Sequence, residues 1–334
     1  KVALDFGWWK DRINGIVEAY WRKSKDCVTS EYVPVTTGFF NQSYNTSVLQ
    51  NNGVEFSLSV AVLKSKDYNL SVSANVAWNQ NKLKKYNSPN TSLALDKYVG
   101  YPMGAVFSGK YEGIDPETGM YKFKLRPDAV TNKDGYLREP NNYYYYLGTS
   151  VAPFTGGFNL NFSYKNIGLS VGGSYSVKAK MVDNIESPAG YELLSGSKLE
   201  SIPTPHNDLY RNHLNVKREV RNRWTPENRT GVKYPRLIDA YGKKLGLDLT
   251  NPTLTTITRG ALLEDISYLR INTIALSYSL PQRVLERINF SSAALNLTLN
   301  NFFTITKYSG IDPEVPGATY PVSRSVTIGL NVGF

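Results

Sequence analysis

The sequence contains one cysteine, Cys27, and two histidines, His206 and His213, among 334 residues. A lone cysteine excludes an internal disulfide framework. The two histidines lie seven residues apart in a stretch containing proline and asparagine, which is not metal-ligand spacing. Charged residues make up only 20% of the chain. No stretch approaches the run of about 20 apolar residues that a membrane-spanning helix needs. A helical span is therefore excluded. A membrane barrel is not, because alternating strands average out to a polar composition. There is no Gly-x-Ser-x-Gly elbow, phosphate-binding loop or zinc motif. The 28 acidic residues are scattered and single out no carboxylate pair for glycoside hydrolysis. The expectation is a protein that is not an enzyme and carries no cofactor.

In place of these the chain has aromatic residues, with 24 Tyr, 13 Phe and 5 Trp, and abundant Asn, Ser and Thr. That mixture suits many strands with one apolar and one polar face. The net charge is +10. Its densest clusters, Arg211 to Arg223 and Arg22, Lys23 and Lys25, fall in expected loops and no nucleic-acid motif accompanies them, so they read as solvated loop charge. No signal-peptide pattern opens the chain. Lys1 to Trp8 already reads as a strand, as in a piece of something longer.

Period-two alternation dominates. Val54, Phe56, Leu58, Val60 and Val62 alternate with Glu55, Ser57, Ser59 and Ala61. Leu70, Val72, Ala74, Val76 and Trp78 repeat the pattern, as do Phe158, Leu160, Phe162 and Tyr164, then Leu295, Leu297 and Leu299. The final segment sets Val326, Ile328, Leu330, Val332 and Phe334 against Thr327, Gly329, Asn331 and Gly333. About nine strands follow, over 1–9, 11–23, 53–64, 68–84, 156–165, 167–181, 265–281, 291–305 and 323–334. Within 265–281 the apolar parity switches between Ile271 and Ile274, which predicts a β-bulge near Asn272. Several strands exceed ten residues, as tilted membrane strands do.

Short connections at Lys10, Ser65 to Asp67, Lys165-Asn166 and Pro281 to Phe290 alternate with long ones at 24–52, 85–155, 182–264 and 306–322. This is the pattern of an all-β, antiparallel, up-and-down outer-membrane barrel, with short periplasmic turns and long extracellular loops. It places the C-terminus in the periplasm. Pro281 to Ile288 reads as one or two helical turns or as an irregular turn. An odd strand count leaves an open edge, which lipid does not tolerate, so further strands are expected from an N-terminal part.

Eight stretches, in order along the chain, carry a further signal. They begin with Phe6-Gly-Trp-Trp-Lys-Asp-Arg-Ile-Asn-Gly15 with Glu18 to Asp26, then Pro34 to Gly38 with Asn51 to Phe56. Val99 to Gly104 and Tyr111 to Gly119 follow, then Asn222 to Asn228 with Tyr234 to Arg236. Asp265-Ile-Ser-Tyr-Leu-Arg-Ile-Asn272, Asn300 to Thr306 and Tyr320 to Ser325 complete the set, which together resembles the SusC/RagA family of TonB-linked outer-membrane transporters. The resemblance implies that residues 1–334 are the C-terminal part of a barrel of about 22 strands, roughly its last two-fifths, without the N-terminal plug and first strands. It also implies a SusD-like surface lipoprotein and the TonB complex as partners. The substrate would be an oligosaccharide, or a peptide as in RagA-type importers. Outer-membrane lipid and lipopolysaccharide would surround the barrel.

Within that picture Tyr143, Tyr144, Tyr145 and Tyr146 suit stacking on sugar rings, or equally an aromatic girdle or a contact with the lipoprotein. Trp224 lies in a long loop, where its shared motif points to fixing the loop. Val326, Ile328, Leu330, Val332 and Phe334 resemble the signal read by outer-membrane assembly machinery. Asn75, Asn161, Asn296 and Asn331 are expected on the lumen face. The repeated Gly113-Ile-Asp-Pro-Glu117 and Gly310-Ile-Asp-Pro-Glu314 read as turns. A loop calcium site at Asp115 and Glu117 is the lesser alternative. The competing reading of the whole chain is a soluble carbohydrate-binding or adhesin-like β-protein. In that case the alternating apolar residues would pack inward instead of forming an exposed belt.

Overall fold

The computed structural model describes residues 1–86, 98–117, 119, 121–129, 143–182, 221–234, 259–316 and 320–334. The chain opens with β1 (Val2–Trp8), β2 (Ile13–Tyr32), β3 (Asn41–Lys64) and β4 (Tyr68–Lys85). Four short loop strands follow, β5 (Ala105–Gly109), β6 (Tyr111–Ile114), β7 (Tyr121–Phe123) and β8 (Tyr144–Thr149). Then come β9 (Phe154–Tyr164), β10 (Ile167–Val177), β11 (Lys180–Val182), β12 (Leu263–Asp265) and β13 (Tyr268–Ser279). Helix α1 (Gln282–Arg287) leads to β14 (Ser292–Thr306) and β15 (Ser325–Gly333). Nine strands form one sheet in the order β1-β2-β3-β4-β9-β10-β13-β14-β15, and every neighbouring pair is antiparallel. The other strands pair only with one another, β5 with β8, β6 with β7 and β11 with β12, in the loops.

Register turns the alternation of single strands into two faces. One row takes one residue from each strand: Trp8, Ile13, Val60, Val72, Leu160, Val171, Ile274, Leu299 and Val326. All nine are apolar. The adjacent row runs Gly7, Asn14, Ser59, Ser73, Asn159, Gly172, Thr273, Asn300 and Ser325, all small or polar and none charged. A slip of one residue anywhere would mix the faces, so the chemistry fixes the register.

Among the described residues the apolar face has no core behind it. Val54, Leu4, Trp8 and Val326 are exposed, Ile328 and Leu330 are 72% and 67% exposed, and Phe56 and Leu58 are half-buried. Buried apolar residues, such as Ala179, Trp224, Tyr234, Ile266 and Tyr308, gather instead in and beside the long loops. Among the described residues no second sheet packs on this face, which counts against the soluble carbohydrate-binding or adhesin-like reading. The face is a lipid-facing belt on an outer-membrane barrel.

Two expectations need correction. Residues 24–52 are not a long loop. The β2–β3 ladder continues to Tyr32↔Asn41, and only Val33 to Phe40 connects the strands, through a 3-10 turn at Val35–Thr37. With 24 residues at about 3.4 Å each, β3 runs roughly 80 Å, far beyond the apolar band of about 25 Å. The upper part lies beyond that band and loses its alternation. The strand expected over 167–181 ends at Val177, where Lys178 has φ 69° and Lys180–Val182 leaves to pair with Leu263–Asp265. The bulge lies where parity placed it, because Ile271 and Thr273 pair with Gly173 and Gly172 and Asn272 is passed over. Pro281 precedes α1, whose Leu285 is buried.

Candidate functional site

The polar face and the loops above it hold the groups that can meet a solute. On the polar face, amides and hydroxyls bond from strand to strand. Ser170 Oγ donates to Asn161 Oδ1 at 2.8 Å, Ser174 Oγ to Asn272 Oδ1 at 3.0 Å and Thr273 Oγ1 to Asn300 Oδ1 at 3.2 Å. Asn300 Nδ2 donates onward to Ser325 Oγ at 3.0 Å, and Asn75 Oδ1 accepts the Gly157 N–H at 2.7 Å. Asn75, Asn161 and Asn296 share this parity with the polar row, as does Asn331 on β15. A shallow depression of 620 Å³ on this face is lined by Ser57, Ser73, Asn75, Asn159, Ser170 and Thr273 among others. The depression offers donors and acceptors without fixed charge, while Asp5, Glu18, Glu55 and Arg270 share the polar parity elsewhere on the face.

At the loop end, Tyr144 to Tyr146 form the first half of β8 and pair with Gly109, Ser108 and Phe107. Tyr145 Oη donates to the Leu125 carbonyl at 3.0 Å. Tyr146 lies 4.8 Å from Tyr101 and 5.7 Å from Phe107, and Phe107 meets Tyr98 and Tyr101 edge-on. Tyr146 remains 41% exposed, and burial of its phenol, then the neighbouring Tyr101, pushes its pKa up. Tyr143 is half-buried in the turn before β8. Trp224 is 7% exposed, and its indole N–H donates to the Pro116 carbonyl at 3.0 Å. It ties two long loops together across 108 residues.

A third group escaped sequence reasoning. Arg270, on the polar parity of β13, is 2% exposed and pairs with Asp312, which is 5% exposed, and with Glu314 Oε2 at 3.0 Å. Asp312 also accepts the N–H groups of Glu314 and Val322, each at 3.0 Å. Burial pushes the Asp312 carboxyl up, but these N–H donors and Arg270 outweigh it and hold its pKa below the ordinary carboxylate value. The pair clamps the connection Lys307 to Arg324 onto the polar side of the sheet, beside a 540 Å³ groove lined by Thr304, Thr306, Pro321 and Arg324 among others. Arg270, Asp312 and Val322 come from three separate motifs, which explains why no single motif revealed the clamp.

Both Gly-Ile-Asp-Pro-Glu repeats are turns closed by their own aspartate. Asp115 Oδ1 accepts the Glu117 N–H at 2.8 Å, as Asp312 Oδ1 accepts that of Glu314. Among the described residues no group of three or more His, Cys, Asp or Glu is placed to hold a metal. His206 and His213 lie outside the described residues. On β15, Val326, Ile328 and Leu330 pair with Leu299, Leu297 and Leu295, and Val332 pairs with Ala293. Phe334 meets Phe290 edge-on at 5.2 Å.

No family model matches the chain. It is 25% identical over 358 residues to the TonB-dependent receptor SusC of Bacteroides thetaiotaomicron, covering 100% of this chain and 31% of that protein. It is 24% identical over 368 residues to TonB-dependent receptor P26 of Formosa agariphila, covering 100% of this chain and 34% of the relative. Among solved structures, it superposes on the RagAB peptide transporter with a TM-score of 0.74 and 26% identity, over 99% of this chain and 34% of that one. The chain thus spans about a third of the length of the relatives it matches.

Proposed function

Because the chain is a SusC/RagA-type segment of an outer-membrane β-barrel, we propose that it forms the C-terminal part of a TonB-dependent nutrient importer. The observation that carries this is the pair of adjacent rows across nine strands, one wholly apolar and one wholly small or polar. The apolar row faces lipid and the polar row faces a lumen. Import is gated diffusion. Extracellular loops and a SusD-like lipoprotein capture the solute, and TonB, pulling on a plug supplied by the rest of the protein, opens the polar lumen. The substrate is an oligosaccharide, because Asn, Ser and Thr hydroxyls and amides match neutral sugar hydroxyls. Tyr146, with Tyr101 beside it, offers ring faces for stacking. Tyr143, Tyr144 and Tyr145 shape the same loop, and Trp224, from another long loop, bonds to the Pro116 carbonyl within it. The last strand, Val326 to Phe334, is the element read by the assembly machinery.

A peptide substrate is the second reading, favoured by the likeness to the RagAB peptide transporter. Uptake of fluorescent neutral oligosaccharides and of fluorescent peptides should be measured in cells expressing the full-length protein with its neighbouring lipoprotein, with and without TonB. TonB-dependent uptake of oligosaccharide supports the proposal. Uptake of peptide alone transfers the substrate assignment, and uptake of neither class in a TonB-dependent way refutes import.

A further inference from the structure

The short-turn rim is basic and aromatic together. Its turns carry Lys10, Arg12, Lys66, Lys165, Arg283 and Arg287 against Asp11, Asp67 and Glu286. Among the described residues none of these cations is ion-paired. The turns are joined into one rim. The Lys165 N–H donates to the Asp67 carbonyl at 2.7 Å, the Ser279 N–H donates to the Asn166 carbonyl while Asn166 Nδ2 donates back to the Ser279 carbonyl, and the Ala61 N–H donates to the Arg12 carbonyl. Directly above this rim, on the lipid-facing parity, stand Trp8, Tyr68, Tyr164 and Tyr278, each exposed. Tyr68 and Tyr164 are register partners. The Lys165 ammonium lies 5.3 Å over the Tyr164 ring, so this cation stands on the lipid side of the rim. Lys66 occupies the adjoining turn.

We propose that Lys66 and Lys165, in the turns next to the Tyr68–Tyr164 pair, bind the phosphate of an anionic phospholipid in the inner leaflet. The two ammonium groups neutralise the headgroup. The tyrosine rings suit the headgroup level, where one end is apolar and the other wet, and Leu70 and Phe162 continue the apolar surface toward the acyl chains. A basic cluster at the edge of an apolar span attracts anionic lipid in this way. The assignment rests on the outer-membrane placement but not on import, so a failed uptake assay leaves it standing.

The test uses the full-length protein extracted in mild detergent, with bound lipid counted by native mass spectrometry after titration with phosphatidylglycerol or phosphatidylcholine. Wild type should prefer phosphatidylglycerol, and inorganic phosphate should not displace it. Lys66→Gln with Lys165→Gln should weaken that binding about twenty-five-fold, from about fivefold for each cation. Lys84→Gln with Lys85→Gln, at the opposite end of β4, should leave it unchanged. Equal retention of the two lipids by wild type, displacement by free phosphate, or an equal loss in both double variants would overturn the proposal. The wild-type lipid comparison decides the matter even where a variant fails to fold.

Discussion

At the scale of the residue, Arg270 and Asp312 dominate. Each is nearly sealed from solvent, and removing Asp312 leaves the buried Arg270 charge with only the partly exposed Glu314 to compensate it. Asp312→Asn should destabilise the clamped connection by about 3–5 kcal/mol. Hydrogen exchange in Lys307 to Arg324 should rise while exchange in β14 and β15 stays slow. Unchanged exchange would show that Ser309, whose N–H donates to Glu264 at 2.9 Å, holds the connection without the clamp. The clamp should also respond to acid. Its folded pKa is depressed, so its contribution is fully present above the unfolded carboxylate value of about 4 and is lost as pH falls through the lower folded value. Exchange corrected for its intrinsic pH dependence should be flat from pH 7 to 5 and rise only below about 4. A rise centred near pH 6 would point to another group.

At the scale of the element, the lipid face contains glycines whose missing side chains are filled by a neighbouring ring. A Cβ on Gly156 would lie 2.2 Å from the Asn75 carbonyl oxygen and 2.4 Å from Tyr175 Oη. The Tyr175 hydroxyl donates to that same Asn75 carbonyl at 2.8 Å. The ring thus crosses Gly156 diagonally and covers its backbone, as aromatic residues rescue strand glycines elsewhere. Gly156→Ala would displace the ring and break its hydrogen bond. The folded fraction on a heat-modifiability gel should fall, whereas Gly329→Ala, where the nearest atom is 3.9 Å away, should be neutral. Equal mobility of both variants would refute the packing role. The elements themselves were legible in the sequence wherever one face met lipid and the other water. The parity switch between Ile271 and Ile274 located the bulge at Asn272. The upper halves of β2 and β3 were not legible, because Lys23, Ser24, Lys25 and Asp26 are polar on both faces and imitate a loop. The clamp was hidden for a different reason: Arg270 and Asp312 are 42 residues apart. One signal did exist, since an arginine between Leu269 and Ile271 on the polar parity of a strand calls for an acidic partner.

At the scale of the whole molecule, the two faces differ only by parity, so neighbouring residues in one strand face opposite solvents. Leu160 belongs to the apolar row and Asn159 to the polar row, and both rows cross all nine strands. Arginine at position 160 would carry its charge into hydrocarbon at a cost of about 2–4 kcal/mol near the midplane. Arginine at 159 would stand in a watery lumen beside Ser73 and Gly172 and cost little. Assembly of full-length protein in the outer membrane, measured by heat-modifiability and surface proteolysis, should therefore drop sharply for Leu160→Arg. It should stay near wild type for Asn159→Arg. The pair controls for side-chain size and position along the strand, leaving the face as the variable. Equal loss in both would mean that the polar row is packed against protein instead of lining a lumen. That outcome would remove the pathway on which the import proposal depends while leaving the lipid belt intact.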